Sequence, residues 1–225
     1  MKLTQSFILI LLMALLLGCS ENHKKSLLKI ENGNIGMIGY GSLMSKNSME
    51  KTLKRTYEDS VYLVHLEGYQ RAWNHLIPMT NANRDFFYLR ENDTIPIYNR
   101  VALNIMASEH EKMNCVLFFI TPEELAQFDE RERGYKRIDV TDKIKEFRFK
   151  GGRVYAYKSD EYHTYNYKNK DNTVLPQSYF KLVTNACDSI GKEFRQEFDS
   201  STNHLDKATI LSREDVFWID SPKVF

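Results

Sequence analysis

The sequence predicts an α+β domain with a closed or strongly curved sheet. Runs rich in β-branched and aromatic residues, typical of strands, occupy most of the chain between residues 34 and 157. The longest helical pattern follows them over 177–198, where apolar residues recur every three or four positions. Strands that come first and a long helix that comes last are typical of α+β architecture.

Composition supports one globular domain and excludes several classes of protein. The chain has 225 residues, of which 42% are hydrophobic and 27% are charged, as in ordinary globular proteins. Its 31 basic and 30 acidic residues give a net charge of +1. Because a nucleic-acid-binding protein needs a surplus of basic residues, we expect no nucleic-acid partner. The sequence shows no internal repeat and no second domain.

Residues 1–18 have the pattern of a signal peptide. Lys2 supplies a positive start, and 7–17 form an uncharged apolar run that is shorter than the roughly 20 residues of a membrane span. The run ends in Leu16-Leu17-Gly18-Cys19, which resembles the bacterial lipobox. This resemblance implies cleavage before Cys19 and lipidation of its sulfur. A plain secretory signal and an uncleaved anchor helix are the alternatives.

The mature chain is expected to begin with a lipidated tether over 19–32, followed by a domain over 33–225. Removal of 1–18 takes away one lysine and no acid, which leaves 30 basic and 30 acidic residues. Lipid rather than charge would therefore hold the protein at a membrane. We expect it in the bacterial cell envelope, and Ser20 after the cysteine is compatible with the outer membrane, facing the periplasm.

Five or more strands are expected before the middle of the chain. The first covers 34–39 and runs into a tight loop, and a helix follows over 42–54. Further strand candidates share β-branched and aromatic content, and they cover 60–66, 72–79, 85–89, 101–106 and 114–120. A glycine turn at 67–68 and a charged turn at 108–112 are expected to separate neighbouring strands.

The second half of the domain contains a clear helix start at Thr121. Thr121 serves as N-cap, Pro122 follows it, and Glu124 completes a capping box. Leu125 and Phe128 supply the buried side of this helix. Later segments are expected to be strands over 138–149 and 153–157, a surface loop over 161–176, and one helix over 177–198.

Cys115 and Cys187 are the two cysteines left after the lipidation site. In an oxidising compartment they either pair or remain buried free thiols, and both interpretations stay open. A Cys115–His catalytic pair is conceivable, but the apolar neighbours of this cysteine favour a packed thiol. The six histidines are dispersed and common catalytic motifs are absent, so the sequence gives no support for a metal site.

Two segments have the residue types that a reactive site needs. In the first, Ile38–Leu43, a glycine stands on either side of Tyr40, and such a turn can expose backbone N–H groups to an anion. The second ends the helix that begins at Thr121. Glu132 lies four residues beyond Phe128 and continues its inward face, whereas Arg131 and Arg133 point aside. A carboxylate there is expected to have a raised pKa.

Together these segments resemble the γ-glutamylcyclotransferase-like superfamily, in particular its ChaC-type and related bacterial branch. The resemblance covers about residues 35–160. It is carried by Tyr40-Gly41-Ser42-Leu43, by Gly68-Tyr69-Gln70-Arg71, and by Phe128-Asp129-Glu130-Arg131-Glu132 with Gly134-Tyr135. The family pattern implies a small mixed β-barrel-like sheet with flanking helices, and a pocket between the first motif and Glu132.

The resemblance also implies an enzyme, a lyase or transferase that releases 5-oxoproline from a γ-glutamyl peptide or amine. Glu132 would be its general acid/base, and no cofactor or metal would be required. The implied substrate-binding residues form the first segment plus one tyrosine: Ile38, Gly39, Tyr40, Gly41, Ser42, Leu43 and Tyr135. The implied partners are a small γ-glutamyl substrate and, through the lipid, a membrane.

Two other functions are compatible with the sequence. One is a non-catalytic envelope lipoprotein that binds a small peptide or amino-acid ligand in the same pocket. The other is an envelope scaffold with a vestigial pocket. Glu132 favours the enzyme, because a binding protein has no need of a carboxylate at that position.

Overall fold

A computed structural model describes residues 25–31, 33–79, 84–165, 172–203, 210–212 and 214–220. The predicted signal peptide, Cys19 and the first part of the predicted tether lie outside these residues. Among the helices that are described, none has the length and apolar character needed to cross a membrane.

The described residues form thirteen strands and four α-helices. The helices are α1 (Lys46–Leu53), α2 (Pro122–Arg131), α3 (Gln177–Ile190) and α4 (Lys192–Ser200). Two short 3-10 helices cover Ser42–Met44 and Thr141–Lys143. The strands are β1 (Ser26–Lys29), β2 (Ile35–Gly39), β3 (Tyr62–Pro78), β4 (Arg84–Arg90), β5 (Asp93–Ile97), β6 (Asn99–Ile120), β7 (Tyr135–Asp139), β8 (Phe147–Lys150), β9 (Val154–Ser159), β10 (Thr173–Pro176), β11 (Thr202–Asn203), β12 (Ile210–Leu211) and β13 (Val216–Asp220).

The main sheet is mixed and has eight strands, six of them in the order β11-β3-β6-β2-β9-β7. Strand β10 adds to β6, and β12 adds to β10. The central strand β2 pairs antiparallel with β6 and parallel with β9. A sheet of this kind with helices after its strands confirms the predicted α+β class.

The main sheet is open, so the predicted closed, barrel-like sheet is wrong. Among the described strands, no pairing joins the end strand β11 to the end strand β7. The pairing of β3 with β6 shifts register twice, once around Gly68, whose φ is +80°, and once between Ala72 and His75. Such bulges bend a sheet locally. The two long strands β3 and β6 therefore have two sites of local bending within an open sheet.

The strands predicted separately at 60–66 and 72–79 are one strand, β3, and those at 101–106 and 114–120 are one strand, β6. Residues 108–111, which include Glu109 and Glu111, lie opposite Gly68 alone, so β6 has three extra residues at this point. Exposed charges that look like a turn in the sequence are thus accommodated by a bulge. The predicted turns at 67–68 and 108–112 mark this bulge.

Arg71 ties the middle of the sheet to the C-terminal helix pair. Its side chain is 0% exposed, and its guanidinium donates hydrogen bonds to Asn114 on β6 and to Thr202 on β11. Burial lowers the pKa of this guanidinium to about 10. The predicted Gly-Tyr-x-Arg turn therefore belongs to β3, and its arginine is a buried link between strands.

The start of α2 agrees with the sequence prediction, whereas the helix predicted over 177–198 differs from it. The capping box is confirmed: Thr121 Oγ1 accepts from the Glu124 N–H, and Glu124 Oε2 accepts from the Thr121 N–H. The single helix predicted over 177–198 is two helices, α3 and α4, which meet at Gly191. The φ of Gly191 is +149°, outside helical geometry, so the chain changes direction there.

Part of the predicted tether belongs to the folded domain. Strand β1 pairs parallel with β8, from Ser26 opposite Phe147 to Lys29 opposite Lys150. Ile30 is buried, and Leu28 packs against the main core. Two apolar side chains in a segment that is otherwise polar explain why it adds to a sheet. For residues 26–30, the tether prediction is wrong.

The described cysteines, Cys115 and Cys187, are both free thiols inside the main core. Cys115 lies on β6 and Cys187 on α3. Burial raises the pKa of each thiol to about 12. Of the two interpretations that the sequence leaves open, the structure has the buried free thiols.

Candidate active site

The loop after β2 turns so tightly that its first glycine is required. A Cβ on Gly39 would lie 2.8 Å from the Leu43 carbonyl oxygen and 2.9 Å from Val116 Cγ2. The 3-10 helix Ser42–Met44 then begins, and the Met44 N–H donates to the Gly41 carbonyl at 2.9 Å. This geometry brings the loop back over the end of its own strand.

Glu132 is placed at this loop by the C-terminal end of α2. The fully buried Phe128 anchors the helix, and the Glu132 N–H donates to the Phe128 carbonyl at 2.8 Å. The Glu132 side chain is 15% exposed. Its φ of −91° and ψ of 32° take it out of the helix, so its carboxyl group turns towards the loop after β2.

A cavity of about 30 Å³ brings the two predicted segments together. Glu132 lines it, as do six of the seven residues predicted to bind substrate: Ile38, Tyr40, Gly41, Ser42, Leu43 and Tyr135. Gly39 does not line it and acts from beneath, through the turn. Three further lining residues, Leu103, Tyr157 and Tyr179, were not predicted.

Three tyrosines of the cavity hold their hydroxyl groups in fixed positions. Tyr40 donates to the Tyr157 carbonyl oxygen at 2.7 Å, and Tyr135 donates to the Leu103 carbonyl oxygen at 2.6 Å. Tyr157 donates to Asp129 Oδ1 at 2.7 Å. Burial raises the pKa of all three phenols. The cavity wall is therefore uncharged apart from Glu132.

Tyr179, from the first turn of α3, covers the glycine side of the loop. Its hydroxyl accepts from the Leu103 N–H at 3.4 Å. A Cβ on Gly41 would lie 3.2 Å from that hydroxyl oxygen, so only glycine fits there without displacement. Burial raises the pKa of Tyr179 to about 12. The segment predicted as one helix over 177–198 thus contributes its first turn to the site.

Arg131 contacts Glu132, so the prediction that its side chain points aside is wrong. Arg131 Nε lies 3.1 Å from Glu132 Oε1. The guanidinium also donates to Ser42 Oγ at 2.9 Å, and to Ser48 and Thr52 of α1. Because Glu132 departs from helical geometry, the side chains of two consecutive residues come to the same side.

Two opposing effects act on the Glu132 carboxyl group. Burial raises its pKa, and the charge of Arg131 lowers it, with burial the larger effect. The net pKa is therefore above that of an ordinary glutamate. A raised pKa makes this carboxylate a stronger proton acceptor than an ordinary glutamate, which suits a group that must take a proton and return it.

A second, fully buried layer supports the wall of the cavity. The His75 ring stacks on the Tyr135 ring, with centroids 3.6 Å apart, and His75 Nδ1 lies 2.7 Å from Ser159 Oγ. Burial lowers the pKa of His75 to about 4, so this ring is neutral. A Cβ on Gly134, whose φ is +92°, would lie 3.2 Å from His75 Cε1. The glycine after the helix end lets the histidine approach.

No group of three or more potential metal ligands occurs within the described part of the chain. The chemistry available at this cavity is that of one carboxylate, one guanidinium, four phenols and the backbone of a tight loop.

Comparison with solved structures places this arrangement in a known fold. A γ-glutamyl cyclotransferase aligns with 79% of this chain and 94% of its own, at a TM-score of 0.50 and 11% identity. The chain has the γ-glutamyl cyclotransferase fold. No protein-family model matches the sequence, and no curated protein does either.

Two further structures align at lower TM-scores. A yeast γ-glutamyl cyclotransferase specific to glutathione gives a TM-score of 0.46 at 13% identity, over 77% of this chain and 99% of its own. An Arabidopsis thaliana protein solved in solution gives 0.37 at 18% identity, over 57% of this chain. The alignment covers 64% of the Arabidopsis chain, less than two thirds of its length.

Proposed function

We propose that the protein is a cyclotransferase that releases 5-oxoproline from a γ-glutamyl peptide or amine. The observation that carries this proposal is the cavity itself. Glu132 and the Tyr40–Leu43 loop are about ninety residues apart in the sequence, and they line the same small space. The γ-glutamyl cyclotransferase fold supports the same conclusion.

The reaction needs one group that first accepts and then donates a proton. The substrate α-amine attacks its own side-chain carbonyl carbon, which forms the ring C–N bond and a tetrahedral intermediate. Glu132 takes the proton that the attacking nitrogen loses. The bond to the leaving nitrogen then breaks, Glu132 returns the proton to it, and the products are 5-oxoproline and an amine. No water is consumed.

The loop after β2 would stabilise the negative charge that develops on the carbonyl oxygen. The first N–H groups of a helix have no partner inside the helix, and those of Ser42 and Leu43 begin the 3-10 helix at the cavity. Fixed donors at such a point act most strongly where water is excluded. Ring closure is intramolecular, so holding the reactive rotamer supplies a large part of the acceleration.

The size of the cavity implies that a side chain moves when substrate binds. Its 30 Å³ is room for about two or three water molecules. A γ-glutamyl group is larger, so we expect one of the lining tyrosines to rotate outward. Tyr179, whose 3.4 Å contact with Leu103 is the longest of the tyrosine hydrogen bonds, is the expected candidate.

The sequence also leads us to propose where the reaction takes place. The lipobox-like segment that ends at Cys19 would anchor the protein by lipid in the bacterial cell envelope. The substrate would then be a γ-glutamyl compound that reaches that compartment.

The test is release of 5-oxoproline by the purified full-length protein, with a panel of γ-glutamyl dipeptides, glutathione and γ-glutamyl amines. Glu132→Gln should unfold like the wild type and lose about 10²- to 10⁴-fold in kcat, the usual contribution of a general base. The matched control is Glu123→Gln, an exposed carboxylate at the other end of α2, which should keep full turnover.

If Glu132→Gln keeps its turnover, Glu132 is not the general base. Absence of release from folded wild-type protein would favour the binding lipoprotein, and thermal shifts with the same panel would then identify its ligand.

A further inference from the structure

A groove between α1 and α2 lies directly beside the active-site cavity. Its volume is about 630 Å³, far larger than the cavity. We call it the α1–α2 groove, and the side chains that matter for its chemistry are Ser48, Lys51, Thr52, Lys54, Gln127 and Arg131. This volume lies within the roughly 300–1,000 Å³ of small-molecule binding sites, which is room for an amino acid or a short peptide.

One guanidinium separates the groove from the cavity. Arg131 lines the groove, while its Nη2 donates to Ser42 Oγ at 2.9 Å and its Nε lies 3.1 Å from Glu132 Oε1. Ser42 and Glu132 both line the cavity. Arg131 is thus a wall that the groove shares with the cavity, and the groove begins one side chain away from the carboxylate that would return a proton to the leaving nitrogen.

The groove has an excess of positive charge. Lys51 and Lys54 are exposed, and within the described residues neither has an ion-pair partner. The acidic residue of the groove, Glu130, is paired with Arg133, and the charge of Arg131 is directed at Glu132. Two lysines are thus free to meet negative charge on a ligand.

We infer that the α1–α2 groove binds the leaving group, and that it selects leaving groups with two carboxylates, such as an acidic amino acid or an acid-rich peptide. This inference rests on the proposed cyclotransferase function. A γ-glutamyl amine puts no negative charge in the groove, a neutral amino acid puts one carboxylate there, and glutamate puts two, one for each lysine.

The experiment compares two substrates that differ by one charge. γ-Glutamyl-glutamate and γ-glutamyl-glutamine have nearly the same shape, and 5-oxoproline release gives kcat/KM for each. For the full-length wild type we expect a ratio of roughly two- to fivefold in favour of glutamate, because glutamine lacks one of the two carboxylates and one exposed charge pair gives a factor of about that size. At about 1 M salt the ratio should fall towards one.

The variant Lys51→Met/Lys54→Met should lower the ratio to near one. The matched control is Lys181→Met/Lys192→Met, which removes two exposed lysines from α3 and α4 and should leave the ratio unchanged. The salt dependence of the wild type keeps the test decisive if the groove variant does not fold.

The possible results separate this inference from the proposed function. Release from both substrates at equal kcat/KM, or a preference that persists in Lys51→Met/Lys54→Met, overturns the groove assignment and leaves the cyclotransferase standing. Altered thermal stability with an unchanged ratio assigns the lysines to the end of α1 alone, which also overturns it. No release from any γ-glutamyl compound overturns the proposed function and the groove assignment together.

Discussion

At the scale of single residues, the charge state of Glu132 depends on a contact with its own neighbour. Arg131 is fixed by Ser42, Ser48 and Thr52, so its guanidinium has little freedom to leave the carboxylate. It therefore limits how far burial can raise the pKa of Glu132. In this structure Arg131 is a positioning residue that links α1, the loop and the proposed base.

Arg131→Met should move the acidic limb of the pH–rate profile to higher pH. The base works only when it is deprotonated, and loss of the guanidinium leaves burial unopposed, so the pKa of Glu132 rises. The measurement is the pH dependence of kcat/KM. Arg133→Met, which removes an exposed arginine paired with Glu130, should leave the limb in place. If the acidic limb stays at the same pH in Arg131→Met, a group other than Glu132 is responsible for that limb.

The sequence predicted where Glu132, the proposed base, lies on its helix, but not its surroundings. Helical spacing from Phe128 was enough to bring Glu132 to the inner side of α2. The same spacing placed Arg131 on the wrong side, because the departure from helical geometry at Glu132 is a local backbone feature. Tyr157 and Tyr179 were missed because they come from other elements, whose pairing with the site depends on long-range register.

At the scale of elements, the break between α3 and α4 depends on one glycine. The φ of +149° and ψ of 162° at Gly191 belong to a region that other residues seldom adopt. Gly191→Ala should therefore destabilise the protein by about 1 to 3 kcal/mol, although a Cβ there would meet no atom within 4 Å. Denaturant unfolding is the measurement. Lys192→Ala, at the next position, should have little effect on stability. If the two variants are equally stable, a residue with a Cβ at position 191 is not strained.

His65 connects β3 to α4 through two carboxylates. Its Nδ1 lies 2.6 Å from Glu146 Oε1, and its Nε2 lies 2.9 Å from Glu197 Oε1. The hydrogen bond with Glu146 is the largest effect, and it raises the pKa of His65 in the folded state. A raised pKa means that the folded protein holds this proton more tightly than the unfolded chain does.

The stabilisation by His65 should therefore be complete below about pH 6.5, its unfolded pKa, and lost as the pH rises through the folded pKa. Denaturant unfolding from about pH 5.5 to about pH 8.5 should show wild-type stability declining above neutrality. His65→Gln should flatten this part of the curve. The lowered pKa of Glu146 acts in a separate range, since its contribution is lost only as the pH falls through more acidic values. A curve that keeps its slope in His65→Gln would exclude the histidine.

Elements with local signals were predictable, and elements set by pairing were not. The start of α2 was evident because Thr121, Pro122 and Glu124 form a cap within four residues. The continuity of β6 was hidden, because Glu109 and Glu111 interrupt its apolar pattern at the bulge opposite Gly68. The open sheet could not be inferred either, since it depends on which strands stay unpaired.

At the scale of the whole molecule, the proposed lipid on Cys19 would hold the domain near a membrane, because few residues separate Cys19 from β1. Six residues fully extended span about 20 Å, which limits the separation between the anchor and Lys25. Cys19→Ser should move the protein from the membrane fraction to the soluble fraction, with its activity on γ-glutamyl substrates retained. Fractionation of cells with the activity assay on both fractions is the measurement. A Cys19→Ser variant that remains with membranes would exclude lipidation as the anchor.

The position of β2 in the sheet has a consequence for how a nascent chain acquires its active site. This strand leads directly into the loop that lines the cavity, and it pairs with β6 about 80 residues later and with β9 about 120 residues later. Contacts so distant in sequence form late and slow the folding of a domain. During synthesis the loop after β2 therefore emerges early, but it becomes ordered only after β6 and β9 have been made. A fragment that stops before residue 154 holds Glu132 and the loop but lacks the parallel neighbour of β2, and we expect it to have no organised site.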